Sequence, residues 1–477
     1  MNTRLVVNYL SQIILYFSLV FTLPLATAFY YRENIMPFLV PMILSATAGS
    51  IVYFLVKPHT HTAKYKEGYA IVGIGWLLIA AIGSVPYTYY SIDPVDAFFE
   101  SMSGFTTTGA TIIDQVESLP RSLLLWRSFT QWLGGMGIVV LFVAVFPALS
   151  KKGETLLQAE VPGLKIEKIK PRLRDTALHL YATYMTLTLL EIAFLAVLGL
   201  SIYDALTHTF TTLSTGGFST HTQSIAYFNS PAVEFVIFIF MILGGSNFAL
   251  LYLLMKGNRK IIRDTEFRFY ISLLLLAGII LSALNMERYG IFDSIRYSFF
   301  QTASIMTTTG YTTADFDTWS DSARLLILML MFIGGSTGST GGGIKVARIY
   351  LLTIYSLSQI LKSAEPRTVR MIRLNNEVVE KDILHNITAF FALYILVFVF
   401  STFAISLTGL DMISSIAAVS ASINNVGPGL GAVGASESYS SLSNAAKIIL
   451  SFDMWVGRLE LFTVLSLFIP SFWRERW

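Results

Sequence analysis

Cysteine is missing from all 477 residues, which excludes disulfide staples and thiolate metal sites at once. Charge is scarce too. Asp, Glu, Lys and Arg make up 13% of the chain and leave a net charge of +3 at pH 7, too small an excess to argue for a nucleic-acid partner. No His-Glu-x-x-His run or paired intramembrane aspartate motif marks a membrane-embedded enzyme. No small-residue cleavage site follows the apolar run after Arg4, and further apolar runs come at once. The N-terminus therefore reads as a retained helix, not a signal peptide.

Apolar surface is what the chain has in plenty. With 54% apolar and 14% aromatic residues and a mean hydropathy of +0.62, it carries more than one soluble core can hide. It reads as an all-α integral membrane protein. Windows of about 20 mainly apolar residues, the length that crosses a bilayer, fall near 9–31, 37–56, 69–90, 123–147, 178–203, 231–255, 269–287, 323–360, 384–409 and 444–470. The first two are parted only by Tyr31-Arg32-Glu33-Asn34, and from residue 69 the order is span, loop, span, four times over. The division expected is two leading helices over 1–66 and four repeats over 67–150, 151–260, 261–365 and 366–477.

Orientation follows from Lys and Arg placement, since positive residues stay on the cytoplasmic side. The termini and the connectors around Lys57 to Lys66, Lys151 to Arg174, Lys256 to Arg268 and Lys345 to Lys381 hold 25 of the 33 basic residues. Both termini are thus expected in the cytoplasm.

Within the remaining gaps a Thr/Ser-Gly segment recurs: Thr106-Thr107-Thr108-Gly109, Leu213-Ser214-Thr215-Gly216, Thr307-Thr308-Thr309-Gly310 and Asn424-Asn425-Val426-Gly427. The glycines lie 107, 94 and 117 residues apart, right for two crossing helices with a re-entrant loop between them. Each segment follows a candidate half-helix, Asp96 to Phe105, Asp204 to Leu213, Asp293 to Met306 and Asp411 to Ile423, with aspartate as the expected N-cap. The C-terminal ends of such helices favour a cation. Glycine allows positive φ, so successive carbonyls can be turned toward one axis, and four carbonyl-bearing loops replace the hydration shell of an ion. Thr107, Thr108, Gly109, Ser214, Thr215, Gly216, Thr308, Thr309, Gly310, Asn425, Val426 and Gly427 are the expected filter residues. The fourth segment lacks hydroxyls, so only its backbone is counted on. The plainer reading of Thr-Gly pairs is turns or close helix packing, which four copies in register with one span-loop-span unit argue against.

The run Gly334-Gly335-Ser336-Thr337-Gly338-Ser339-Thr340-Gly341-Gly342-Gly343-Ile344-Lys345 interrupts the span at 323–360. Glycine costs about 1 kcal/mol against alanine in a helix, so two half-helices joined by a mobile, gate-like loop are expected. The lysine is misplaced for a phosphate-cradling loop. Arg458 lies mid-span, where a charge faces the bundle interior. It is read either as a positive barrier beneath the filter or as one half of an ion pair with another helix, neither Asp453 nor Glu460 sharing its face. Glu191 is expected to snorkel or to bond a neighbouring helix. His208 and His221 are weighed as enzyme residues and read as surface residues at the pore mouth, and His59 with His61 forms at most a two-ligand metal loop.

These motifs in this order resemble the TrkH branch of the Trk/Ktr/HKT potassium transporter superfamily, and the likeness runs over the whole chain. It rests on Thr106-Thr107-Thr108-Gly109-Ala110-Thr111, Ser214-Thr215-Gly216-Gly217-Phe218-Ser219, Thr308-Thr309-Gly310-Tyr311, Asn424-Asn425-Val426-Gly427-Pro428-Gly429, the run Gly338 to Lys345 and Gly457-Arg458-Leu459-Glu460. The resemblance implies a homodimer in the plasma membrane, one central pore per subunit ringed by four pseudo-symmetric helix/pore-loop/helix repeats, and K+ as the transported ion, with no organic cofactor on this chain. It implies gating by a cytosolic nucleotide-binding ring of the TrkA type, with Gly338, Ser339, Thr340, Gly341, Gly342, Gly343, Lys345 and Arg458 at the gate. The basic connectors 151 to 174 and 256 to 268 are candidate docking surfaces for that ring. Gly109, where sodium-preferring plant relatives carry serine, favours potassium. The expected activity is channel-like potassium uptake; sodium- or proton-coupled symport is the alternative.

Overall fold

The computed structural model describes residues 1–57, 65–137, 173–365, 371–375 and 377–474, with side chains from 177 onward in the third stretch. The His59/His61 pair, residues 138–147 of an expected span and most of the basic connector 151–174 lie outside the described residues. Helices dominate. The strands among the described residues form one small hairpin, Arg373–Leu374 antiparallel to Glu377–Val378.

The leading pair runs ahead of the repeats. Thr3–Phe17 continues through a tighter turn, Ser18–Phe21, into Thr22–Tyr31, and Arg32 in the left-handed region (φ 58) reverses the chain into Met36–Leu55. This pair docks on the next helical unit through aromatic rings: Phe21 stacks on Trp126 at 4.8 Å and Phe17 meets Phe105 edge-on at 5.7 Å. With lipid as solvent, such van der Waals packing holds helices together.

Four units follow, each a first helix, a short helix at the place of the pore helix expected from the sequence and called by that name below, and a second helix. The first helices are Tyr65–Thr88, Leu173–Val197, the start of Thr265–Met306 and Lys381–Ser406. The pore helices are Pro94–Phe105, Ile202–Leu213, the end of Thr265–Met306 and Met412–Ile423. In unit 3 the backbone stops being helical at Gly290 (φ 74, ψ 178), which parts the long segment into its two helices.

The second helices of units 1, 2 and 4 depart from the sequence expectation of one continuous apolar crossing each, whereas unit 3 breaks where its glycine run lies. Among the described residues six helices are long and apolar enough to cross a membrane, and the pair Pro231–Gly244 and Phe248–Met255, apolar enough together, is bent by 109° between its halves. In unit 3, Asp321–Met331 and Val346–Ala364 are parted by a loop; in unit 4, Asn444–Leu459 breaks at Glu460 (φ 64) before Leu461–Ser466. In unit 1, Arg121–Gly135 ends at Gly134-Gly135-Met136-Gly137. Each break lies within a few residues of glycine, whose flexibility and missing side chain make a helix interior easy to open. Charge pairs tie the other end of these helices to their surroundings. Arg296 holds Glu234 at 2.6 Å, Arg324 holds Asp317 at 2.9 Å, and Lys447 of unit 4 reaches Asp96 of unit 1 at 2.6 Å.

Candidate functional site

The four pore helices end at Phe105, Leu213, Met306 and Ile423, where the sequence places them. Their starts differ. Of the aspartates expected as caps, Asp411 is one, accepting from the N–H groups of Ile413 and Ser414. Hydrogen bonding from Ser414 holds its carboxyl below the usual carboxylate range. The caps of units 1 and 2 are Asp93 and Ser201, which places Asp96 and Asp204 in the first turn. Carboxylates there still favour the helix electrostatically.

Immediately after each pore helix the backbone enters the left-handed region at a residue that is not glycine: Thr107 (φ 55), Thr215 (φ 53), Thr308 (φ 62) and Asn425 (φ 55). For β-branched threonine this is a true outlier, costing on the order of 1–3 kcal/mol apiece, and such strain collects where function demands a fixed backbone. Two residues on, φ is positive again, at Gly109 (83), Gly217 (77), Gly310 (81) and Gly427 (95). Alternating hand turns successive N–H groups to one side of the strand and successive carbonyls to the other.

The repeated hydrogen bonds of these segments fix their register. Thr108 N–H, Gly216 N–H, Thr309 N–H and Val426 N–H each donate to the carbonyl five residues earlier, at 2.8 to 2.9 Å. Gly216 therefore matches Thr108, Thr309 and Val426, and Gly217 is the counterpart of Gly109. The reading that aligned Ser214, Thr215 and Gly216 with Thr107, Thr108 and Gly109 is off by one position. With two adjacent glycines the sequence leaves the choice open, and only the backbone hand decides it.

These glycines form a closed ring. A Cβ added to Gly109 would lie 2.2 Å from the Gly216 carbonyl oxygen; one on Gly217, 1.8 Å from that of Thr309; one on Gly310, 2.1 Å from that of Val426; one on Gly427, 2.6 Å from that of Thr108. Each unit abuts the next and the fourth returns to the first. The four ring glycines also share the lining of one cavity of about 340 Å³, together with Asp114, Arg127, His221 and Glu437.

Beneath the ring lies the glycine run of unit 3. Thr340 donates its hydroxyl to the carbonyls of Leu213 and Gly244, both at 2.9 Å, and Gly342 N–H donates to the Thr308 hydroxyl at 2.7 Å. A Cβ on Gly342 would meet the Asn424 carbonyl oxygen at 2.5 Å. The run thus touches the bases of segments 2, 3 and 4. Glu266 pins it at two places, its Oε1 accepting from Thr337 N–H within the run at 2.6 Å and from Ala347 N–H just past it at 3.2 Å. The Lys345 ammonium turns back onto the Gly341 carbonyl. Gly338 is the exposed tip, and Gly338 and Ser339 make no direct approach to the segments that is comparable to those of Thr340 and Gly342.

Arg458 reaches into the same layer. Its guanidinium donates to the carbonyls of Thr340 and Gly135, both at 2.7 Å, and to that of Gly134. It therefore bridges the glycine run to the end of the unit 1 second helix, where terminal carbonyls carry partial negative charge. Asp453 and Glu460 bond elsewhere, Asp453 with Ser401 at 2.7 Å and Glu460 with Arg348 at 2.7 Å. Glu191 is fully buried and does not snorkel to solvent. His208 is buried as well, bonded to the Asp204 carbonyl and the Ser219 hydroxyl, while His221 stacks on Tyr227 at 3.6 Å.

The sequence reading missed one further set. Gly134 faces the Phe105 carbonyl oxygen at 1.9 Å from a hypothetical Cβ, Gly244 the Leu213 oxygen at 3.1 Å, and Gly457 the Ile423 oxygen at 2.0 Å. Second-helix glycines thus let the pore-helix ends seat directly against backbone. The available signal was a glycine at the same place in every second span.

Residues 34–475 match the family model described as TrkH, cation transport protein. The chain is 38% identical over 486 positions to the Trk system potassium uptake protein TrkH of Salmonella typhimurium, with all of both chains covered. It is 35% identical over 488 positions to the Trk system potassium uptake protein TrkG of Escherichia coli, again end to end. The crystal structure of the potassium transporter TrkH from Vibrio parahaemolyticus matches at a TM-score of 0.90 and 34% identity, covering 99% of this chain and 100% of that one.

Proposed function

This chain belongs to the TrkH family of cation transport proteins, and from that membership we propose that it takes up potassium through the ring formed by Gly109, Gly217, Gly310 and Gly427. The observation that carries the reading is three threonines and an asparagine held at positive φ in matching places. A fold that only needed turns would place glycine there. With their carbonyls turned to one axis, the segments replace the hydration shell of a monovalent cation. The residues at the filter are Thr107 to Gly109, Thr215 to Gly217, Thr308 to Gly310 and Asn425 to Gly427. Ser214 sits one step below, level with Thr106.

Thr340, Gly341, Gly342 and Arg458 form the gate in this proposal, a layer directly under the filter that must move aside for an ion to pass. The protein works as a homodimer in the plasma membrane with cytoplasmic termini. A cytosolic nucleotide-binding ring docks on exposed basic residues such as Lys256, Arg259, Lys260 and Arg263 and pulls on the gate through the broken second helices. Uptake at low external potassium by cells lacking their own potassium importers tests the activity, with and without a candidate ring protein; failure to restore growth in both cases contradicts it.

Coupled symport remains a second reading because of two intramembrane carboxylates. Glu191 is fully buried, and Asp453 uses one oxygen on Ser401 while the other has no partner among the described residues. Buried carboxylates in membranes often relay protons. A reversal potential that follows potassium alone, whatever the pH and sodium, decides for the passive route.

A further inference from the structure

Counted back seven and three residues from Gly134, Gly244, Gly334 and Gly457, the second helices carry matched positions. Three units fill those positions with apolar side chains: Ile237 and Met241, Ile327 and Met331, Leu450 and Met454, all buried. Unit 1 has Arg127 and Gln131, equally buried.

Their polar atoms are spent on the filter segments. Gln131 donates from Nε2 to the Gly216 carbonyl at 2.7 Å and accepts at Oε1 from Phe218 N–H at 3.0 Å. Arg127 donates to the Glu100 carboxylate at 2.8 Å, the Thr111 hydroxyl at 3.1 Å and the Ser219 carbonyl at 3.2 Å. Glu100 in turn accepts from Ile112 N–H at 2.9 Å. One cluster therefore grips the strands that leave both the first and the second ring glycine.

Segment 2 is the one that needs gripping. Where the other segments have Thr108, Thr309 and Val426, it has Gly216, and a Cβ there would fall 2.4 Å from Gln131 Cδ. Gln131 occupies the space of the missing side chain. Two adjacent glycines leave the segment without the stiffness of a β-branched residue, and the two hydrogen bonds from Gln131 restore it.

We propose that Gln131 and Arg127 are positioning residues that fix the spacing of filter segments 1 and 2 and so set the discrimination between potassium and sodium. The inference rests on the ring being the filter. A segment free to relax inward adapts to the smaller ion, so loosening segment 2 costs selectivity before it costs conduction.

The test uses the full chain in proteoliposomes, reading the potassium-to-sodium permeability ratio. Gln131→Met installs the residue type of the other three units at similar volume, which favours folding. It removes both hydrogen bonds to segment 2, and since one net hydrogen bond corresponds to roughly fivefold in such a ratio, a fall of at least that order with potassium flux retained is expected. Arg127→Lys keeps the charge beside Glu100 but cannot serve all three acceptors, and it is expected to lower the ratio too. Gly216→Ala added to Gln131→Ala places a Cβ in the vacated space and recovers part of the loss. Unchanged ratios in Gln131→Met and Arg127→Lys, while Gly109→Ser shifts the ratio in the same assay, overturn the brace and leave the filter standing. Unchanged ratios in all three remove the filter reading and the brace with it.

Discussion

Gly427, last residue of the fourth segment, lies against the carbonyl of Thr108 in the first, so closely that a Cβ on it would come within 2.6 Å of that oxygen. More than 300 residues of chain separate the two, and their contact is what closes four units into one ring. Tyr439 steadies the same point by donating its hydroxyl to the Gly427 carbonyl at 2.7 Å.

Gly427→Ala opens that closure. The alanine must hold φ near 95, a region costing non-glycine residues on the order of 1–3 kcal/mol, and its methyl group must displace the Thr108 carbonyl. Potassium uptake is expected to fall severely, with a lowered midpoint of thermal unfolding in detergent. Wild-type uptake by this variant contradicts the closed ring.

Gly109→Ser acts one unit along, where the added Cβ meets the Gly216 carbonyl. The carbonyl ring must widen or tilt, and potassium is expected to lose its advantage over sodium. Flux of each ion measured separately in liposomes gives the ratio directly.

Arg458→Ala removes the bridge between Thr340 and the Gly134–Gly135 carbonyls. Hydrogen bonds to a charged donor are strong, and their loss should raise basal flux in the absence of any cytosolic partner by roughly tenfold. Equal or lower flux points to a structural role for the arginine.

Glu266→Ala frees the N–H groups of Thr337, within the glycine run, and Ala347, just past it. An unpaired buried donor such as the Ala347 N–H costs about 1–3 kcal/mol, and the half-buried Thr337 N–H costs less. Hydrogen exchange at those two amides is expected to quicken while the pore-helix amides stay protected. No change at either amide means that the carboxylate does not pin the run.

How much of this was legible in the sequence varied with what chemistry each feature uses. The segments stood out because polar Thr and Gly interrupt long apolar runs, and the pore helices ended where those residues begin. The register of segment 2 did not, since Gly216 and Gly217 look alike until one adopts positive φ. Arg458 was recognisable as an interior charge, but its partners are backbone carbonyls, which every residue has and no sequence distinguishes. The second-helix breaks were visible only in unit 3, where glycine is dense. Gly134, Gly244 and Gly457 sit singly or in pairs within apolar stretches that read as plain crossings. Gln131 and Arg127 emerge only when the four second helices are aligned on those glycines.

The central claim is that the four segments together hold one dehydrated monovalent ion. Crystals of the protein grown or soaked in rubidium or thallium salts test it through anomalous scattering. The account predicts peaks on the shared axis among Gly109, Gly217, Gly310 and Gly427; a well-ordered ring with no anomalous density between those residues contradicts it.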